Sequence, residues 1–98
     1  MAYKIREDIA QEFISYLTPV FKMGAEKHGD VNWLQPYGKT CSHKEMHDCV
    51  FHHVARSFTN GDANNLAKCN DSEAFDLAHA AARCLMRIYT VLHKIPNN

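Results

Sequence analysis

The sequence has no surplus of charge of either sign. Across 98 residues, 11 Lys and Arg balance 11 Asp and Glu. A broad grip on a phosphate backbone needs a basic excess, so neither DNA nor RNA is the expected partner. Long apolar runs are also missing, and nothing approaches the length of a membrane span. The opening "MAYKIREDIA" lacks the apolar centre of a signal peptide. These absences predict a soluble protein of the cytoplasm with no membrane partner. Cys41, Cys49, Cys69 and Cys84 form no C-x-x-C pair, and in that compartment they read as reduced thiols. Strand-like alternation and internal repeats are absent as well. The length favours a single domain over residues 1–98, with a core modest enough that oligomerisation would help it.

What the sequence does have is helical periodicity and histidine. The pattern predicts an all-α, four-helix domain. The first helix runs from about Tyr3 to Leu17, with Ile5, Ile9, Phe13 and Tyr16 or Leu17 at helical spacing. Thr18-Pro19 reads as an N-cap followed by a first-turn proline, so a second, short helix is expected from Pro19 to about His28, closed by Gly29. The long loop "GDVNWLQPYGKTC" follows, and loops of that length are usually functional or disordered. The third helix is expected from Ser42, with Glu45 completing a capping box, to near Thr59. The fourth should start after Asp71 or Ser72 and reach about His93.

The fourth helix carries two apolar stripes. One is Phe75, Ala78, Ala82, Leu85, Tyr89 and Leu92; the other is Ala74, Leu77, Ala81, Cys84, Ile88 and Val91. So wide an apolar face predicts a homo-oligomer that buries it. Asp76, His79, Arg83 and Arg87 make the remaining polar strip, which by itself reads as a solvated face with local ion pairs. The third helix weighs against that bland reading. His53 falls on its apolar side, and alone it reads as a hydrogen-bonded core histidine. In an antiparallel hairpin of the third and fourth helices, however, His53 and His79 lie at similar distances from the connecting loop and should face each other. Asp76 is expected near the level of Arg56. Two histidines, a carboxylate and arginines between helices suit a bundle's ligand site. Protonated imidazoles there would favour phosphate, and binding would tighten as pH falls through the histidine range.

Two other constellations have metal-ligand spacing. Glu45-x-x-Asp48 and Glu73-x-x-Asp76 place carboxylate pairs on helix faces, as Mg²⁺ sites beside nucleotide phosphates do. They start opposite ends of antiparallel helices, roughly 20 Å apart at about 1.5 Å per residue, and Glu45 and Glu73 serve equally as capping residues. Cys41, His43 and His47 can chelate zinc but lack an evident fourth ligand.

At this point the blocks "GAEKHGDVNW", "HH" and "DLAHAA" resemble the dATP/dGTP diphosphohydrolase N-terminal family, small and mostly phage-borne helical proteins. Gly24, Ala25, Lys27, Gly29, Asn32 and Trp33 match the first block, His53 the second, and Leu77, Ala78, His79 and Ala80 the third. The likeness spans about Val20 to Leu92. His28, His52 and Asp76 depart from it, as does the missing proline-containing lead-in. The resemblance implies a nucleotide-binding protein in a phage-infected bacterial host. One form is a Mg²⁺-dependent purine (d)NTP diphosphohydrolase that releases monophosphate and pyrophosphate. Its catalytic residues would be His53, His79 and Asp76, with Glu73 and Asp76 on the metal. The alternative is a non-catalytic sponge that sequesters cyclic oligonucleotides or ADP-ribose derivatives used as host defence signals. In either form Trp33 and Tyr37 would stack on a base, worth about 1–3 kcal/mol in nucleic-acid systems. Asn32 would read its edge, and Lys39, Arg56 and Arg83 would meet phosphate. The simpler reading of Trp33 is a plug that seats its loop on the bundle.

Overall fold

The computed structural model describes residues 2–29, 43–61, 65–69 and 72–94; the side chains of residue 28 and residues 43–46 lie outside that description. The all-α class holds, but three helices stand among the described residues where the sequence pattern predicts four: α1 (Glu7–His28), α2 (His43–Asn60) and α3 (Asp76–Leu92). None is long and apolar enough to cross a membrane.

The correction lies at Thr18-Pro19. No helix ends there; α1 runs straight through with Pro19 inside it. An interior proline removes one backbone hydrogen bond and crowds the preceding turn, a cost of about 3 kcal/mol. Tertiary packing on both sides of the proline offsets it. Leu17 before it, and Val20 and Phe21 after it, pack with Ala74, Ala78 and Ala82 near the start of α3. Breaking the helix at Pro19 would separate those contacts. The Thr18 hydroxyl meanwhile donates to the Ile14 carbonyl at 2.8 Å instead of capping a new helix. Gly29 follows the last turn at φ 93°, and its N–H donates to the Ala25 carbonyl at 3.0 Å. That positive φ is the conformation for which glycine is the fitting residue.

α2 and α3 pack on each other most extensively, and α1 lies against α3. His53 meets His79 and His47 meets Arg87, so contacts step back along α2 as they step forward along α3, and the pair is antiparallel. The small alanines of α3 permit the close approach: Ala78, Ala80 and Ala82 are all buried. Much of the rest of its apolar surface is exposed. Leu77, Ala81, Cys84, Ile88 and Val91 form an exposed stripe.

α3 also begins later than its capping pattern predicts. Residues 72–74 bend, and Phe75 is extended. Phe75 pairs with Lys68 in an isolated antiparallel bridge. The Cys69 N–H donates to the Ala74 carbonyl at 2.9 Å, and the Asp76 N–H donates to the Ala67 carbonyl at 3.0 Å. These bonds hold 67–69 against the entry to α3 and use backbone groups that an earlier helix start would claim. Gly61 makes the preceding turn possible. A Cβ there would lie 2.5 Å from the Asn65 carbonyl oxygen and 2.9 Å from that of Ser57.

Continuity of α1 across Pro19 predicts that Pro19→Ala keeps the fold and raises stability. Restoring the missing donor outweighs the unfolded-state freedom that alanine adds, for a net gain of about 1–2 kcal/mol in urea denaturation. Equal or lower stability would mean that the proline shapes the packing on α3.

Candidate functional site

The site is a knot of polar side chains between α2, α3 and the chain that joins them. Asp76, at the first position of α3, is completely buried, and His79 and His53 are nearly so. The His53 Nδ1–H donates to Asp76 Oδ1 at 2.8 Å, since a carboxylate can only accept. One turn along α3, the His79 ring stacks on His53 with centroids 4.7 Å apart and planes 13° from parallel. Its Nε2 stands 2.8 Å from Ser72 Oγ, which also accepts the Ala74 N–H at 3.2 Å. The bend before α3 thus fixes the imidazole through a side chain as well as through the backbone.

Three buried polar atoms here have no hydrogen-bond partner among the described residues: Asp76 Oδ2, His79 Nδ1 and Arg83 Nε. Each such atom costs about 1–3 kcal/mol if left so. Asp76, His79 and Arg83 share one face of α3, adjacent members three and four residues apart. Arg56 and Arg83 are half-buried, and both act electrostatically on His79.

Several expected residues do meet. His53, His79 and Asp76 come together, with Arg56 and Arg83 close in the electrostatic sense. Asp76 pairs with His53. Glu73 is exposed while Asp76 is buried. Asn32, Trp33, Tyr37, Lys39 and Cys41 lie outside the described residues, as do the side chains of His43 and Glu45. His47 is exposed and accepts from Arg87 Nε at 3.3 Å.

Cys69 and Ser72 are the residues that sequence reasoning passes over. Cys69 is buried, and it forms with His53 and Asp76 a group whose ligand atoms all lie within 4.8 Å of one another. Its sequence surroundings, "NGDANNLAKCN", read only as a polar loop. The signal that identifies it is the neighbouring bridge between Lys68 and Phe75, which no helical periodicity encodes.

Burial, reinforced by the nearby His53 and Arg83, lowers the His79 pKa to about 4; Asp76 opposes the shift and Arg56 adds to it. His79 is therefore neutral near pH 7 and cannot supply the protonated imidazole expected for phosphate between pH 8 and 6. In the unfolded chain it protonates near 6.5. Between about 6.5 and 4 the unfolded state alone takes up this proton, so the His79 contribution to stability is intact above 6.5 and declines as pH falls towards 4. Urea denaturation with chelator present should show that decline, and His79→Gln should flatten it. An equal slope in both proteins would assign the pH dependence to other groups.

Comparison of the chain with family models, with characterised proteins and with solved structures finds no match to any of them.

Proposed function

We propose that the protein binds a nucleotide or nucleotide-derived phosphate compound at the α2–α3 knot and retains it without turnover. The observation that carries this reading is the group of three unpartnered buried polar atoms, Asp76 Oδ2, His79 Nδ1 and Arg83 Nε, beside a second guanidinium, Arg56. A ligand with both acceptors and donors satisfies such a group, and guanidinium groups suit phosphate oxygens. The resemblance to small phage-borne nucleotide enzymes points the same way. Trp33, Tyr37, Asn32 and Lys39 are assigned here to the base and phosphate, as that resemblance implies. Capture is favoured over hydrolysis because Asp76 is committed to His53 while Glu73 is exposed, which is a poor pairing for Mg²⁺. In a phage-infected cell, a retained cyclic oligonucleotide or ADP-ribose derivative would be a defence signal removed from use.

The hydrolytic reading rests on one observation, the unpartnered Nδ1 of a neutral His79, which can orient a water molecule if it bears a lone pair. Water would then attack a phosphorus of a purine triphosphate, and pyrophosphate would leave with the monophosphate as the other product.

Incubation with purine nucleotides, cyclic oligonucleotides and ADP-ribose derivatives, with and without Mg²⁺, separates the two readings. Chromatography before and after heat denaturation should show ligand lost from solution and then recovered unchanged. Recovered monophosphate supports hydrolysis, and no depletion of any compound rejects both. Arg83→Gln should weaken capture about 10- to 100-fold, the range for a hydrogen bond to a charged group, with helicity unchanged. Arg83 is the better test position than His53, whose removal strands the Asp76 carboxylate.

The same reading includes self-association through α3. The exposed stripe of Leu77, Ala81, Cys84, Ile88 and Val91 contains no charge, and the zero net charge of the chain opposes no contact between copies. Ala81 is exposed, so Ala81→Arg should leave the monomer folded and dissociate the assembly in light scattering. A parent protein that is monomeric at micromolar concentration rejects this part of the proposal.

A further inference from the structure

Cys69 takes no part in the nucleotide reading, yet it is buried against two side chains that bind metals. His53 comes from α2, Cys69 from the segment between the helices, and Asp76 from the first position of α3. Their ligand atoms lie within 4.8 Å of one another, and all three residues are buried. Around a tetrahedral ion with bonds of about 2.0–2.3 Å, neighbouring ligand atoms stand roughly 3.3–3.7 Å apart. Side-chain adjustment on the order of 1 Å would close the group to that geometry.

A second observation points independently to a cation. Asp76 is wholly buried, its Oδ1 is engaged by His53, and its Oδ2 has no partner among the described residues. A carboxylate oxygen in that position is satisfied by a donor or by a positive charge. Hydrogen bonding has already fixed the backbone around it: the Asp76 and Cys69 N–H groups both donate across the Lys68–Phe75 bridge. The ligands are thus presented by a tied segment and two helices.

We propose that His53, Cys69 and Asp76 form a binding site for a transition-metal ion of the zinc class, which fastens the 65–69 segment to α2 and α3. The ligand chemistry selects the ion. A thiolate and an imidazole suit Zn²⁺, Co²⁺ or Fe²⁺, whereas Mg²⁺ takes oxygen ligands. Binding releases the Cys69 thiol proton to solvent. Three protein ligands leave a fourth position for water. The ion takes Asp76 Oδ2 as an acceptor already in place, and the site spans three segments of the fold, so its principal effect is on stability. The metal and the proposed nucleotide ligand would both draw on Asp76 Oδ2, so the test of the metal contains no nucleotide.

The full chain, reduced and stripped with chelator, is titrated with Co²⁺. The expected result is a thiolate-to-cobalt absorption band in the near ultraviolet with visible bands of tetrahedral intensity, saturating at one equivalent. Zn²⁺ should displace the cobalt and raise the Tm by several degrees, and Mg²⁺ should do neither. Cys69→Ser should abolish the near-ultraviolet band. Cys41→Ser, Cys49→Ser and Cys84→Ser should keep it. Asp76→Asn should retain a thiolate band but weaken Co²⁺ binding at least tenfold, which decides the matter if Cys69→Ser does not fold. The proposal is overturned if the folded parent gives no thiolate band, if the band persists in Cys69→Ser, or if Asp76→Asn binds as tightly as the parent. Loss of the band in Cys41→Ser would equally overturn it, moving the metal to Cys41, His43 and His47.

Discussion

The contact between His53 and Asp76 holds the centre of this protein. A carboxylate with no solvent exposure is costly unless paired, and here a single imidazole from the neighbouring helix provides the pairing. The bond fixes the register of α2 against α3, because sliding either helix by one turn would strand Asp76. Asp76 is also the first residue of α3. One residue earlier, Phe75 is extended and bridged to Lys68. That bridge in turn brings Cys69 inward, and the bend at Ser72 lets its hydroxyl reach His79.

Among the described residues, the apolar packing around this polar centre is thin. The cluster shared by α1 and α3 is built from Val20 and three alanines, with Leu17, Phe21 and Phe75 at its margin. Alanines bury little area each, so they contribute closeness more than hydrophobic free energy. The larger residues of α3 lie mostly outside: Ile88 and Val91 are about half exposed, at 55% and 51%. A domain with polar groups inside and apolar groups outside inverts the usual economy of a small bundle. The proposed ligand and the proposed self-association would each correct one side of that inversion. A bound anion or metal would satisfy the interior atoms, and a second copy would cover the stripe.

The helical class, the antiparallel pairing of the last two helices and the meeting of His53 with His79 were legible in the sequence. Helical periodicity fixes which residues share a face, and distance from a connecting loop fixes their level in a hairpin. Those two rules need only local spacing. The break expected at Thr18-Pro19 was a local inference of the same kind and failed, because Leu17, Val20 and Phe21 bind α3 on both sides of the proline. Propensity was outweighed by contacts that no local window contains. The fourth helix was expected too early for a related reason: the carbonyls of Ala67 and Ala74 accept hydrogen bonds in the bridge between residues 67–69 and the entry to α3.

The sequence by itself determined which groups were available: a helical chain without charge excess, with histidine and arginine set on two helix faces. The tertiary structure decided how they are used. It chose His53 as the partner of Asp76, brought Cys69 and Ser72 into the site, left Glu73 exposed and made His79 neutral near pH 7. Burial and pairing are properties of residues distant in sequence, and the bridge between Lys68 and Phe75 establishes them here by closing a segment whose residues show no periodic pattern.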